Sequence, residues 1–228
     1  MSNFKITMHM GSPVGTIGYV YLDGILFRAA GLEMYGEDYI NHTIPLETFI
    51  PAINERLATI FDTRYGVLCA SVGFGENKEY TDSWSKRWDD VYDDVVKFNE
   101  KTKARVDVAS GSFKNYHMPF MNKAFKDVIF YARGNATEIE RLLRTYIFSI
   151  GKKCSQGKGE ILSMGFEEME EDYSLFKGEI PMRAIPTENY PKYMDACIKN
   201  NRPFNIQTHP VMPPYWSIDN LKRCYMPV

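Results

Sequence analysis

Residues 137–166 read TEIERLLRTYIFSIGKKCSQGKGEILSMGF. Three patterns follow one another in this stretch. Ile139, Leu142, Leu143, Tyr146, Ile147 and Ile150 recur at the spacing of one helix face. Thr137, with Glu140 three residues on, fits a capping box at the helix start. Gly151 stands where a C′ glycine would end the helix. The turn GKKCSQGKG (151–159) comes next, and EILSMGF (160–166) then reads as a strand.

Working outward, Phe4, Ile6, Met8 and Met10 alternate with Lys5, Thr7 and His9, which predicts a strand with one buried face. Gly11-Ser12-Pro13 ends it. Residues 21–30 (YLDGILFRAA) predict a short helix, 67–74 (VLCASVGF) a buried strand and 127–133 (DVIFYAR) another. The resulting order is strand, helix, strand, insertion, strand, helix, strand. That is the split β-α-β-β-α-β unit of an α+β, ferredoxin-like (RRM-like) fold. Residues 76–126 form the mid-chain insertion. There Trp84, Trp88, Val91, Tyr92, Val95 and Val96 recur at helical spacing and predict an amphipathic helix. The acidic stretch 167–172 (EEMEED) predicts a solvated loop. Residues 167–228 are Pro-rich and predict an irregular extension wrapping the core, anchored by Tyr190, Tyr193, Phe204, Tyr215 and Trp216.

At 228 residues the chain is long enough for one elaborated domain. Its net charge of −2 argues against a protein that coats nucleic acid over its whole surface, yet leaves room for a local basic groove. The four cysteines, Cys69, Cys154, Cys197 and Cys224, form no CxxC pair and no metal-ligand spacing with histidine, so no metal or other cofactor is expected. Reduced thiols, the absence of a signal-like apolar segment at the N-terminus and the absence of an apolar run long enough to span a bilayer predict a cytoplasmic protein without a membrane partner.

The turn suits a polyanion. Gly151, Gly157 and Gly159 let backbone N–H groups approach an anion. Lys152, Lys153 and Lys158 add charge, and Ser155 and Gln156 are donors to phosphate or sugar. It is not a Walker A loop. Five residues separate Gly151 from Gly157, Lys158 is followed by Gly159, and the order is helix to strand. The dinucleotide pattern fails as well, because Leu162 occupies the place of its third glycine. A plain hairpin between helix and strand remains the structural alternative.

A capped helix, a G-x(5)-G-x-G turn and a closing strand together resemble the RAMP proteins of CRISPR systems. Tyr21-Leu22-Asp23-Gly24-Ile25-Leu26 resembles a signature early in such chains. Trp84–Trp88 (WSKRW), Ser110–Tyr116 (SGSFKNY), Met182–Pro186 (MRAIP) and Pro213–Trp216 (PPYW) resemble segments of the type IV effector subunit that caps the guide's 5′ handle. The resemblance implies a structural crRNA-binding subunit. Its partners would be the crRNA 5′ handle, the backbone RAMP subunits and a target nucleic acid duplexed with the guide. It implies that Gly151–Gly159 holds the handle, with Lys86, Arg87, Lys114 and Arg183 as further backbone contacts. It also suggests that the insertion at 76–126 acts as a thumb.

Two other readings stay open. His117 lies near Lys114 and Tyr116, a weak catalytic constellation for a metal-independent endoribonuclease. A protein-only interaction module would use the same fold without RNA. Arg133, Arg141 and Arg144 are expected on a solvated face, or against a neighbouring subunit.

Overall fold

A computed structural model of the chain describes residues 1–16, 18–89, 91–92, 106–200 and 203–227. In chain order it begins with β1 (Ser2–Met10), β2 (Val14–Gly15), α1 (Leu22–Tyr35), α2 (Glu37–Asn41) and α3 (Leu46–Ile60). Next come β3 (Thr63–Arg64), β4 (Val67–Leu68), β5 (Asn77–Lys86), β6 (Tyr116–Phe125), β7 (Asp127–Gly134), α4 (Ala136–Tyr146) and β8 (Ile161–Met169). The C-terminal part holds β9 (Phe176–Lys177), β10 (Ile180–Pro181), β11 (Ile185–Pro186), α5 (Lys192–Lys199), β12 (Ile206–Pro210) and β13 (Leu221–Tyr225). The fold is mixed α+β, with small antiparallel sheets.

The main sheet has the order β7-β1-β8. β1 pairs with β7 from Ser2↔Gly134 to His9↔Asp127 without interruption. The alternation in β1 sets its faces: Phe4, Ile6 and Met8 are buried with Val128, Phe130 and Ala132 of β7. Helices α1 and α4 close that side with Leu22, Leu26, Ile139, Leu142 and Leu143. α3 adds Phe49, Ile53, Leu57 and Ile60.

The strand expected over 67–74 is irregular. It lies along the free edge of β7 through isolated pairs, Ala70↔Ala132 and Phe74↔Ile129. Ser71 explains the break: its hydroxyl accepts from the Tyr131 N–H at 2.8 Å, a place in the ladder that a carbonyl would take.

Three expectations need correction. α4 starts at Asn135, whose side chain accepts from the Glu138 N–H at 3.2 Å, and not at a Thr137–Glu140 box. The helix also stops at Tyr146, so Gly151 lies beyond it and is no C′ glycine; Ile147 and Ile150 are buried from extended chain. The amphipathic helix expected over Trp84–Val96 does not begin at Trp84, which lies in a strand. β5 pairs with β6 residue for residue, from Asn77↔Phe125 to Lys86↔Tyr116, and Trp84 is held in that ladder. The strand ends at Lys86, so Trp88 lies beyond it. Val95 and Val96 lie outside the described residues.

The C-terminal extension is more regular than its prolines suggest. Its sheet has the order β11-β13-β12, and Ala184, Ile185, Val211, Cys224 and Met226 share a second core with Val67, Cys69 and Val72. The acidic stretch is not wholly a loop either. β8 runs through Glu167 and Glu168 to Met169, where Lys5 of β1 pairs with Glu167. Asp172 receives Arg64 at 3.0 Å.

The arginines of the helical layer serve packing. Arg56 of α3 and Arg141 of α4 both reach Glu33 of α1 and Glu138 of α4, tying three helices together. Arg133 pairs with Asp62, and Arg144 pairs with Glu140 while lying over the Phe166 ring. The Arg141 guanidinium beside Glu138 holds that carboxyl down at about 2. A carboxyl depressed in the fold stabilises it above its ordinary value near 4.5, and that contribution fades as pH falls toward 2. Glu138→Gln should therefore melt lower than the parent at pH 7, and the difference should vanish near pH 2 in thermal scans.

Candidate nucleic-acid interface

Arg183 is not a phosphate contact. It has no exposed surface. Its guanidinium donates to the carbonyls of Leu68 (2.6 Å), Ala70 (3.0 Å) and Val211 (2.9 Å), to the Tyr215 hydroxyl (3.0 Å) and to Asp23 Oδ2 (3.0 Å). Tyr215 in turn donates to Asp23 Oδ1 at 2.6 Å. Burial pushes the Tyr215 phenol well above its ordinary value. Its ring stacks on Tyr21, with centroids 4.2 Å apart. Gly24 leaves room for that ring, since a Cβ there would stand 3.2 Å from it. The segments 21–26, 182–186 and 213–216 thus meet at one buried cluster.

The glycine-rich turn is built differently from an anion nest. The N–H groups of Lys152, Gln156, Gly157, Lys158 and Gly159 already donate to the chain's own carbonyls. Gly159 takes a positive φ of 68°, and a Cβ there would stand 1.8 Å from the Ile150 carbonyl oxygen. Gly151, with φ 87°, sits 2.7 Å (as a Cβ) from the Gly15 carbonyl oxygen. Gly151 lets the turn pack against β2, and Gly159 lets it fold back onto Ile150. Five of the turn's nine backbone N–H groups, those of Gly157 and Gly159 among them, are therefore spent on the fold, and its side chains add to what the turn offers.

Those side chains divide. Lys158 pairs with Asp82 of β5 at 3.1 Å and is mostly covered, so its charge is engaged by the hairpin. Lys153 lies 4.0 Å over the Trp84 ring, a cation–π contact. Lys152, Ser155 and Gln156 are exposed. Lys86, Arg87 and Lys114 are exposed at the far end of the β5–β6 hairpin, where Lys86 donates to the Ser112 carbonyl. His117 meets Ser85 Oγ at 2.7 Å across the hairpin. Strand alternation turns its neighbour Tyr116 to the other face, where it packs edge-on against Trp84. His117 and Tyr116 are therefore not brought together on one face of the hairpin.

Between the turn and the C-terminal extension runs a groove of about 550 Å³. Lys152 forms one wall, Arg28 and Tyr19 another, and His209, Tyr215 and Trp216 the third. None of the described residues that line it is acidic. Trp216 is 65% exposed at its rim. Neither Arg28 nor Lys152 has a carboxylate partner among the described residues, whereas Arg56, Arg141 and Arg144 of the helical layer do. Two cations, a histidine and an open indole without a carboxylate suit a single-stranded polyanion that also offers flat bases. Arg28, Tyr19 and His209 were not among the expected site residues. A signal for Arg28 was present: it lies four residues after Gly24, on the same face of α1.

A family model described as CRISPR type IV associated protein Csf3 matches residues 76–227. The chain belongs to this family of type IV CRISPR-associated proteins. The match takes in the hairpin, the glycine-rich turn, Arg183 and Tyr215, while Asp23 and Arg28 precede it. No curated protein matches the chain. Among the described residues, no helix is long and apolar enough to cross a membrane, and no group of three or more histidine, cysteine or acidic side chains is placed to hold a metal.

If the glycines serve packing, their substitutions separate. Gly159→Ala should cost well over the roughly 1–2 kcal/mol of a left-handed alanine, because backbone must move. Gly157→Ala, at φ 77° with open space around it, should cost only that amount. Urea titration of both variants reads the difference.

Proposed function

We propose that the chain is a non-catalytic, crRNA-binding subunit of a type IV effector complex. In this reading it caps the 5′ handle of the guide and seats the backbone subunits. The central unit is then the ferredoxin-like one of the RAMP proteins. The order β1, α1, the 67–74 edge, β7, α4, β8 supports it, with β1 between β7 and β8 and the edge segment outside β7. Family membership supports the setting.

The observation that carries the proposal is the groove. On a chain of net charge −2, the walls beside the glycine-rich turn hold Arg28 and Lys152 and, among the described residues, no carboxylate. The handle backbone would lie along these cations, with a base on Trp216. Sequence in such complexes is read by guide–target pairing, so the protein needs only backbone and stacking contacts. Lys86, Arg87 and Lys114 would extend the track along the hairpin, which would act as a thumb beside the guide–target duplex.

Gel-shift titration with handle RNA over a salt series tests this. Arg28→Ala and Lys152→Ala should each weaken binding and lower the salt slope by about 0.7. Trp216→Ala should cost roughly 1–3 kcal/mol and leave the slope unchanged. Parental affinity and slope in all three would remove the groove from the interface. Repeat RNA incubated in EDTA should stay intact; cleavage lost in His117→Ala would instead favour an endoribonuclease.

A further inference from the structure

Arg28, Lys152 and the Trp216 indole bring only donors to the groove. The Tyr215 hydroxyl is spent, donating to Asp23 and accepting from Arg183. His209 is different. It stands near the end of β12, opposite Lys222 of β13, and lines the same wall as Trp216. Its Nδ1 lies 2.8 Å from the Pro210 carbonyl oxygen. A carbonyl only accepts, so this nitrogen carries the proton, and in the neutral ring Nε2 keeps a bare lone pair.

The ring is held in that orientation. Tyr21 packs beside it with centroids 5.5 Å apart, and the Tyr21 hydroxyl stands 3.4 Å from the same Nδ1. Both contacts of the ring nitrogens thus fall on Nδ1, and among the described residues no donor reaches Nε2. A lone pair in a cationic groove has a narrow use. Phosphate oxygens only accept, so they pair with Arg28 and Lys152 and gain nothing from it. The ribose 2′-hydroxyl is a donor, repeats at every nucleotide of RNA and is missing from DNA. Base amino groups donate too, but a base stacked on Trp216 turns its face, not its edge, to that wall.

We infer that His209 Nε2 accepts a hydrogen bond from a ribose 2′-hydroxyl of the bound strand, and that this contact makes the groove select RNA over DNA. The inference rests on the crRNA-binding reading of the same groove and adds a discriminator to it. A DNA strand of the same sequence keeps its phosphates and bases, so the cations and Trp216 hold it equally well. It lacks the partner for Nε2, and covering that lone pair without a donor costs affinity.

The test titrates the full chain with handle RNA, with DNA of the same sequence, and with RNAs carrying one 2′-deoxy or one 2′-fluoro nucleotide at successive positions. Fluorine keeps the RNA-like sugar pucker and removes the donor, so it separates the hydrogen bond from the shape of the sugar. At one position both replacements should weaken binding roughly three- to tenfold. His209→Ala should bind the unaltered and replaced strands alike, at about the parent's affinity for the replaced one. If His209→Ala loses the replaced strands as well, its fold has moved, and histidine ¹⁵N spectra of the parent decide instead. In these the free chain should carry its His209 proton on Nδ1, and Nε2 should shift with the ribose strand and not with the 2′-fluoro strand. A proton on Nε2, a deoxy penalty that the fluoro strand does not share, a penalty kept in full by a folded His209→Ala, or one that follows the base and not the sugar overturns the contact. RNA and DNA bound alike removes the contact alone, whereas a parent that fails to bind handle RNA removes the crRNA reading and the contact with it.

Discussion

Arg183 carries a full charge where no solvent reaches it. Removing a guanidinium and a carboxylate from water costs several kcal/mol each, and only complete hydrogen bonding offsets that. Arg183 obtains it at both terminal nitrogens, though not at Nε, from three separate parts of the chain: the strand edge at Leu68 and Ala70, the first turn of α1 at Asp23, and the extension at Val211 and Tyr215. Few other placements of these segments would satisfy the ion. The pair thus does more for uniqueness than for net stability, because an apolar trio could fill the same space without specifying who meets whom. Breaking it is another matter. Arg183→Leu strands Asp23 in the interior, and urea denaturation should register a loss of about 3–5 kcal/mol. Trp216→Ala, at the exposed rim, should stay within about 0.5 kcal/mol.

The contrast between what was legible and what was not follows from range. The alternation of Phe4, Ile6 and Met8 and the helical face of Ile139, Leu142 and Leu143 are local patterns; β1 forms where it is predicted, and α4 forms there too but stops at Tyr146, short of Ile147 and Ile150. α3 carries the same kind of signal in Phe49, Ile53, Leu57 and Ile60, but Pro51 inside it breaks the reading of a helix. Trp84 misleads because its spacing to Trp88 and beyond reads as helical although a strand ends between the two at Lys86, and only the partner strand β6 places Trp84 in a ladder. Arg183 misleads for a different reason. Arginine is seldom buried, so a basic residue in a family-like segment reads as a ligand contact. Its acceptors lie 28 to 160 residues away in the chain, and no local pattern announces them.

Charge is likewise a matter of placement rather than balance. A net charge of −2 reads as unfavourable for RNA, yet several of the carboxylates are set against particular cations. Glu33 and Glu138 hold Arg56 and Arg141, Asp62 holds Arg133, and Asp82 holds Lys158. At short range each such pair is close to neutral, and beyond about 10 Å salt screens what remains. Arg28 and Lys152 stand apart from these pairings, at the groove. The local field there is set by the walls and not by the sum over the chain.

The groove also inherits its shape from the buried pair. One wall is α1 from Tyr21 to Arg28, and the opposite wall is the extension from His209 to Trp216. Those walls touch at the Tyr21–Tyr215 stack, at the Tyr21–His209 contact and at the Asp23–Tyr215–Arg183 bonds. The glycine-rich turn closes the third side because Gly15 and Lys152 come within a 2.6 Å backbone hydrogen bond, an approach that Gly15 and Gly151 permit. A change at Arg183 would therefore alter ligand binding without touching a ligand, by releasing the extension that carries Trp216. Family-like segments at 21–26, 182–186 and 213–216 need not each contact RNA for this to hold. It is enough that together they set the distance between Arg28, Lys152 and Trp216.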